Sequence, residues 1–158
     1  MKSVLSSYLL PCPVVFISTL HENQRDIMIA TAMFVSEKDP LLVVSLSKGH
    51  LTSELIDKTG RFTVIAASES QKELYEQLTN VKKKGGDKFS SLSIATLPTS
   101  PSKPLIPKGS SAWFECKTLS KQEIDDYVVI IARVTGHEDM GNKPIVWRNE
   151  GLFSLKAL

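Results

Sequence analysis

Apolar positions along this chain fall mostly into short runs at strand spacing. The first, residues 14–20, is rich in β-branched and aromatic side chains and follows Pro11 and Pro13, which predicts a strand. The polar stretch His21-Glu22-Asn23-Gln24-Arg25 predicts a turn, and residues 26–34 form a second strand, so the two pair as a hairpin. After Asp39-Pro40, residues 41–46 form an unbroken apolar run of the kind buried on both faces. Helical patterning interrupts the series twice. Leu51, Leu55 and Ile56 share a helical face over residues 51–59, Glu54 lies in the first turn and Gly60 supplies the stop. Residues 62–67 return to strand. Ser68 with Gln71, or Ser70 with Glu73, then gives a capping box for a second helix through Leu78, ended by Lys82-Lys83-Lys84-Gly85-Gly86.

Pro98, Pro101, Pro104 and Pro107 forbid a helix across residues 97–109 and predict an extended loop. Two long strands follow, residues 111–119 and 126–137, joined by a polar turn. Short apolar pieces at Ile145-Val146-Trp147 and Leu152-Phe153 complete the pattern. Six to eight strands with two short helices predict a mainly β fold, a barrel with helical insertions rather than a doubly wound parallel sheet. No G-x-G-x-x-G follows the first strand and no P-loop occurs, which argues further against a Rossmann arrangement. No repeat or linker divides residues 1–158, so a single domain is expected.

Composition narrows the function classes. With 19 basic and 17 acidic residues the formal net charge is +2, too balanced to point to nucleic acid or an anionic membrane. The first ten residues lack the long apolar segment of a secretory signal, and the longest apolar run, residues 127–132, is far too short to cross a bilayer. Cys12 and Cys116 show no C-x-x-C spacing and fit two free thiols in a reducing cytoplasm.

Three stretches carry candidate chemistry. Ser45-Leu46-Ser47-Lys48-Gly49-His50-Leu51-Thr52-Ser53 leaves a strand and enters a helix, where unpaired N–H groups and the dipole favour a phosphate. Lys48 and His50 add charge, Thr52 and Ser53 add hydroxyls, and Gly49 allows close approach; the same composition also suits a solvated helix start. Ala30-Thr31-Ala32-Met33-Phe34 would let a flat ring approach the backbone, or simply pack small residues in a core. Gly85-Gly86-Asp87-Lys88-Phe89 places a lysine and an aromatic where they can reach over a ligand, or where a helix ends in a surface charge. His137-Glu138-Asp139 is contiguous and lacks a distant ligand, which favours a solvated turn over a metal site. Cys116 alternates with charged neighbours and is expected to be buried and inert, and no base is identifiable beside Cys12. Trp113 and Trp147 fit core or interface better than cofactor contacts.

Taken in order, these stretches resemble the flavin reductase-like family, which contains flavin reductase components of two-component monooxygenases and the electron carrier flavoredoxin. The resemblance runs from about residue 10 to 155. It is carried by Pro11-Cys12-Pro13-Val14-Val15, Ala30-Thr31-Ala32-Met33-Phe34, Asp39-Pro40-Leu41-Leu42, His50-Leu51-Thr52-Ser53-Glu54, Gly60-Arg61-Phe62, Asp87-Lys88-Phe89 and Ala112-Trp113-Phe114-Glu115-Cys116. It implies a split β-barrel that binds FMN, with FAD as the alternative, and that dimerises as a homodimer with flavin near the subunit interface. By the same resemblance Ala30, Thr31, Ala32 and Met33 line the isoalloxazine ring, and Ser45, Leu46 and Ser47 run beside the ring and ribityl chain. Lys48, His50 and Thr52 hold the phosphate, and Lys88 and Phe89 close over the flavin. The chain departs from the family at Met33, where many members carry serine, and at Cys12, where arginine is frequent. Two activities follow: an NAD(P)H-dependent flavin oxidoreductase serving a monooxygenase or another acceptor, or a flavoredoxin-like carrier holding FMN tightly without NAD(P)H turnover.

Overall fold

A computed structural model describes residues 9–81, 86–149 and 151–158. Six strands close into an antiparallel barrel in the order β2 (Val15–His21), β3 (Gln24–Ser36), β4 (Leu41–Ser47), β7 (Tyr127–Asp139), β6 (Ala112–Ile124) and β5 (Arg61–Ala66), with β5 returning to β2. Three short strands, β1 (Cys12–Pro13), β8 (Ile145–Arg148) and β9 (Gly151–Ser154), make a separate small sheet. With these three, the described residues hold nine strands, because the two-residue β1 is too short to show in a hydrophobic pattern. No helix among the described residues is long and apolar enough to cross a membrane.

Strand alternation builds two cores. Ile17, Met28, Val44, Leu46, Phe62, Val64 and Ile130 point into the barrel, and Ile56 of α1 (Leu51–Thr59) joins them. On the outer side of β2, β3 and β5, Phe16, Ile27 and Ile65 meet Leu78 of α2 (Lys72–Asn80), Phe89 of α3 (Lys88–Ser91), Ile106 of the proline-rich segment and Ile145 of β8. β4 is less enclosed than its apolar run implies. Leu42, Val44 and Leu46 are buried, while Leu41, Val43 and Ser45 are only half-buried, because among the described residues no helix packs closely on β4.

Local signals explain the element ends. Gly60 closes α1 in the left-handed region at φ 64°, donating its N–H to Ile56 O at 2.7 Å, a conformation that costs glycine little. Of the two capping boxes available, Ser68 with Gln71 forms. It opens a 3₁₀ turn (Glu69–Gln71) that runs into α2. The buried Gln71 side chain also donates to Lys108 O and Ser110 Oγ, both at 2.9 Å, and so ties down the extended proline segment. The β2–β3 turn shrinks to Glu22-Asn23, since His21 already pairs with Gln24. The β6–β7 hairpin runs further than expected: Gln122, Glu123 and Ile124 pair with Val129, Val128 and Tyr127. His137, Glu138 and Asp139 lie in β7 rather than in a turn, with the His137 ring stacked on Phe114. The expected stop at Lys82-Lys83-Lys84-Gly85 lies outside the described residues.

One irregularity positions everything that follows. β3 pairs with β2 over residues 24–30, but among the described residues it pairs with β4 only from Thr31 to Ser36. The end of β4, Leu46 and Ser47, pairs with β7 alone. The barrel is therefore split between β3 and β4, and the flank of β3 over residues 24–30 carries no strand.

Candidate functional site

A cavity of about 440 Å³ lies at this split, a size suited to a cofactor or small substrate. Residues 27–31 of β3 line it, together with Ser45 and Ser47 of β4 and His50 at the start of α1. Tyr127 of β7 joins these. The opposite lining comes from Cys12, Pro13 and Val14, from Trp147 of β8, and from Tyr75, Leu78, Thr79 and Val81 in and after α2. Lys88 completes it. Most of this surface is apolar. Its polar groups are hydroxyls, one imidazole, one ammonium and the uncovered backbone flank of β3. Burial pushes the Tyr75 hydroxyl above its ordinary value, with a hydrogen bond from Thr79 opposing, so this side chain faces the cavity as a neutral phenol.

The structure brings together half of the residues singled out from sequence. Ala30, Thr31, Ser45, Ser47, His50 and Lys88 line the cavity. Ala32 packs against the barrel core, and Leu46 is wholly inside it. Met33 stands 66% exposed on the outside of the barrel, where β3 is already paired with β4. Lys48 points away into an exposed ion pair with Glu123 at 3.2 Å. Phe89 is buried in the outer core rather than laid over the cavity.

Thr52 and Lys88 are committed elsewhere, and the cause is Asp26. This carboxylate is fully buried and accepts from Thr52 N (3.1 Å), Thr52 Oγ1 (2.8 Å) and Lys88 Nζ (2.9 and 2.8 Å to its two oxygens). Lys88 Nζ gives its remaining contact to Ile27 O at 3.0 Å, on the open flank of β3. The next pair outward repeats the arrangement, with Arg25 Nε donating to Asp87 Oδ2 at 2.8 Å. Asp87 also accepts from Ser90 N and Oγ. Burial raises the Asp87 carboxyl, but these bonds from Arg25 and Ser90 outweigh it and hold the group below its ordinary value. The doublets Arg25-Asp26 and Asp87-Lys88 thus clamp α3 to the β2–β3 hairpin.

Asp26, Tyr75 and Tyr127 escaped sequence reasoning, while Trp147, expected in core or interface, and Cys12, expected to have no base beside it, both line the cavity. Asp26 had a signal, a carboxylate directly heading the apolar run Ile27-Met28-Ile29. Tyr75 and Leu78 are three apart on one helix face. Nothing local distinguishes Cys12, Tyr127 or Trp147.

The cavity fits the group implied by the resemblance in two respects. The open β3 flank offers backbone donors and acceptors to a ring with a polar edge, beside the small Ala30 and Thr31. At the start of α1, Ser47 and His50 line the cavity, and Ser53 Oγ is buried with no hydrogen-bond partner among the described residues.

Comparison with known proteins gives the same direction. Residues 7–156 match the family described as flavin reductase like domain. A "Probable flavin reductase" of Rhizobium meliloti is 30% identical over 120 residues, which is 76% of this chain. The chain spans 37% of that relative's length. The styrene monooxygenase flavin reductase of Pseudomonas putida superposes with a TM-score of 0.81 at 21% identity, covering 100% of this chain and 99% of its own. Flavoredoxin from Methanosarcina acetivorans gives 0.82 at 15% identity, covering 100% of this chain and 92% of its own. At these identities the two structures speak to the fold.

Proposed function

The chain belongs to the family of flavin reductase like domains, and from that premise we propose that the cavity at the β3–β4 split binds FMN non-covalently and that the protein is an NAD(P)H-dependent flavin oxidoreductase. The observation that carries this reading is the placement of the cavity on the uncovered flank of β3. A flavin ring has an apolar body and one edge of alternating donors and acceptors. Backbone N–H and C=O of Ile29, which strand alternation turns to the same flank as Ile27 O, meet such an edge without any charged side chain. Ser45 and Ser47 offer hydroxyls for a ribityl chain, and Ser47, His50 and Ser53 for a phosphate; FAD is the alternative ligand.

FMN held here would supply a centre able to take up hydride and release electrons singly or in pairs. The chain's own residues then have three tasks: to orient the ring, to exclude water and to leave one ring face open to a nicotinamide. No side-chain acid or base is needed. Cys12, Tyr75 and Trp147 form the part of the cavity facing that second substrate in this reading. The acceptor is free flavin for a partner monooxygenase or another redox protein, in the cytoplasm.

A homodimer belongs to the same reading. Met33, Val43 and Ile131 form one outward row across β3, β4 and β7. Val129, Tyr127 and Ile124 extend it, and Met33, Tyr127 and Ile124 are 66%, 51% and 47% exposed. This apolar face is continuous with the cavity through Thr31, Ser45 and Tyr127, and a second copy is the occupant that suits it.

The test is an absorbance and activity series on purified protein. Uptake of FMN and NADH or NADPH oxidation above the free-flavin background are expected. A protein that takes up no flavin refutes the reading. One that stays yellow through dialysis yet oxidises neither nucleotide is the flavoredoxin-like carrier instead.

A further inference from the structure

Asp26 takes donors at the start of α1, the kind of helix end that otherwise attracts an anion. Its carboxylate takes the N–H of Thr52, one of the orphan donors in the first turn of α1, and the Thr52 hydroxyl as well. It also takes two contacts from Lys88, whose side chain is 4% exposed, while that of Asp26 is 0% exposed. Lys88 and His50 both line the cavity, and His50 is two residues from Thr52. The carboxylate, the ammonium and the helix start therefore lie within a few ångströms of one another at one end of the cavity.

We propose that Asp26 is a positioning residue that sets the cavity's preference between phosphorylated and unphosphorylated flavin, by holding the start of α1 through Thr52 and by cancelling the charge of Lys88. This rests on the flavin reading above. The pair presents no net charge to the ligand. A phosphate at Ser47, His50 and Ser53 gains only what these groups and the remaining N–H donors of α1 supply. Lys88 has both carboxylate oxygens and Ile27 O as partners and does not reach for the phosphate.

A unit charge left uncompensated about 12 Å from another, at an effective dielectric near 20, changes an affinity by about tenfold. Affinities of FMN and riboflavin are measured by fluorescence titration for the parent and three variants, and the ratio between them is the readout. Asp26→Asn keeps the size of the side chain but leaves Lys88 uncompensated, so FMN should gain about tenfold over riboflavin. Lys88→Met leaves a carboxylate beside the phosphate, so FMN should lose about tenfold. The double variant should return to within threefold of the parent ratio. Lys88→Met carries its own sign and suffices if Asp26→Asn does not fold. A purely structural role would weaken both flavins together, leaving the ratio constant. A parent that takes up neither flavin overturns both readings. A parent that binds flavin, with the ratio unchanged within twofold in every folded variant, overturns only the role given to Asp26.

Discussion

Replacing Thr52 by valine tests the joint between α1 and β3 without touching a charge. The two side chains are nearly isosteric, so no cavity opens. What disappears is the hydroxyl donor at 2.8 Å from Asp26 Oδ2, in a place where both residues are fully buried. A hydrogen bond to a charged acceptor contributes about 1.5–3 kcal/mol. Asp26 keeps Thr52 N and both contacts from Lys88, so the carboxylate remains paired and the loss stays near the middle of that range, about 2 kcal/mol. For a chain of this length each kcal/mol moves the melting temperature by roughly 2–4 °C, so a drop of about 4–8 °C is expected. Urea unfolding should show the same loss with an unchanged slope, because the surface exposed on unfolding is the same. Thr52→Ser keeps the donor and should recover most of the loss. A Thr52→Val protein within 0.5 kcal/mol of the parent, or a Thr52→Ser protein as unstable as the valine variant, refutes the joint.

Burial pushes the Cys116 thiol up to about 12, with a hydrogen bond from the Val64 backbone N–H opposing and the nearby Glu115 charge adding. Below that pH it stays protonated, so a thiol reagent at pH 8 should count one cysteine in the native protein and two in urea, and FMN should protect the reactive one, Cys12 in the cavity lining. Asp87 titrates below its ordinary 3.8 in the fold, so its contribution to stability is present above that pH and is lost as pH falls through the lower folded value. Asp87→Asn should flatten this acid limb by less than about 1 kcal/mol, because the pair with Arg25 is partly exposed; an acid limb as steep as the parent's would exclude the ion pair as its source. Met33→Glu puts a charge on the outward apolar row and should shift sedimentation from dimer to monomer at micromolar concentration; a variant that sediments as the parent does would place the interface elsewhere.

Much of the barrel was legible because its signals are local. The run at residues 14–20, the helix closed by Gly60 and the Ser68–Gln71 cap each depend on neighbours within four or five positions. The β6–β7 hairpin was read too short because Lys121, Gln122 and Glu123 are polar. They hold strand geometry through pairing with Ile130, Val129 and Val128 across the turn, and pairing of that kind overrides the pattern. The candidate site divided along the same line. Ser47 and His50 follow from where β4 ends, and Ala30, Thr31 and Ser45 from the small and hydroxyl residues that fall where β3 and β4 part. The fate of Thr52 and Lys88 turned on Asp26, which is 26 residues from one and 62 from the other, and no spacing rule connects them. Phe89 follows Lys88 in the chain yet belongs to the outer core, because α3 turns one side chain toward β3 and the next beneath α2.

A closed sheet satisfies its hydrogen-bonding groups strand against strand, and on β3 over residues 24–30 one row of them meets α1, α3 and the cavity instead. Sunk beneath two helices rather than left at an edge, that row is closed to strands from other molecules, and a small molecule that fills the gap adds its binding free energy to the folded state. Loss of such a ligand would then register as a lower melting temperature, by an amount set by the ligand's concentration.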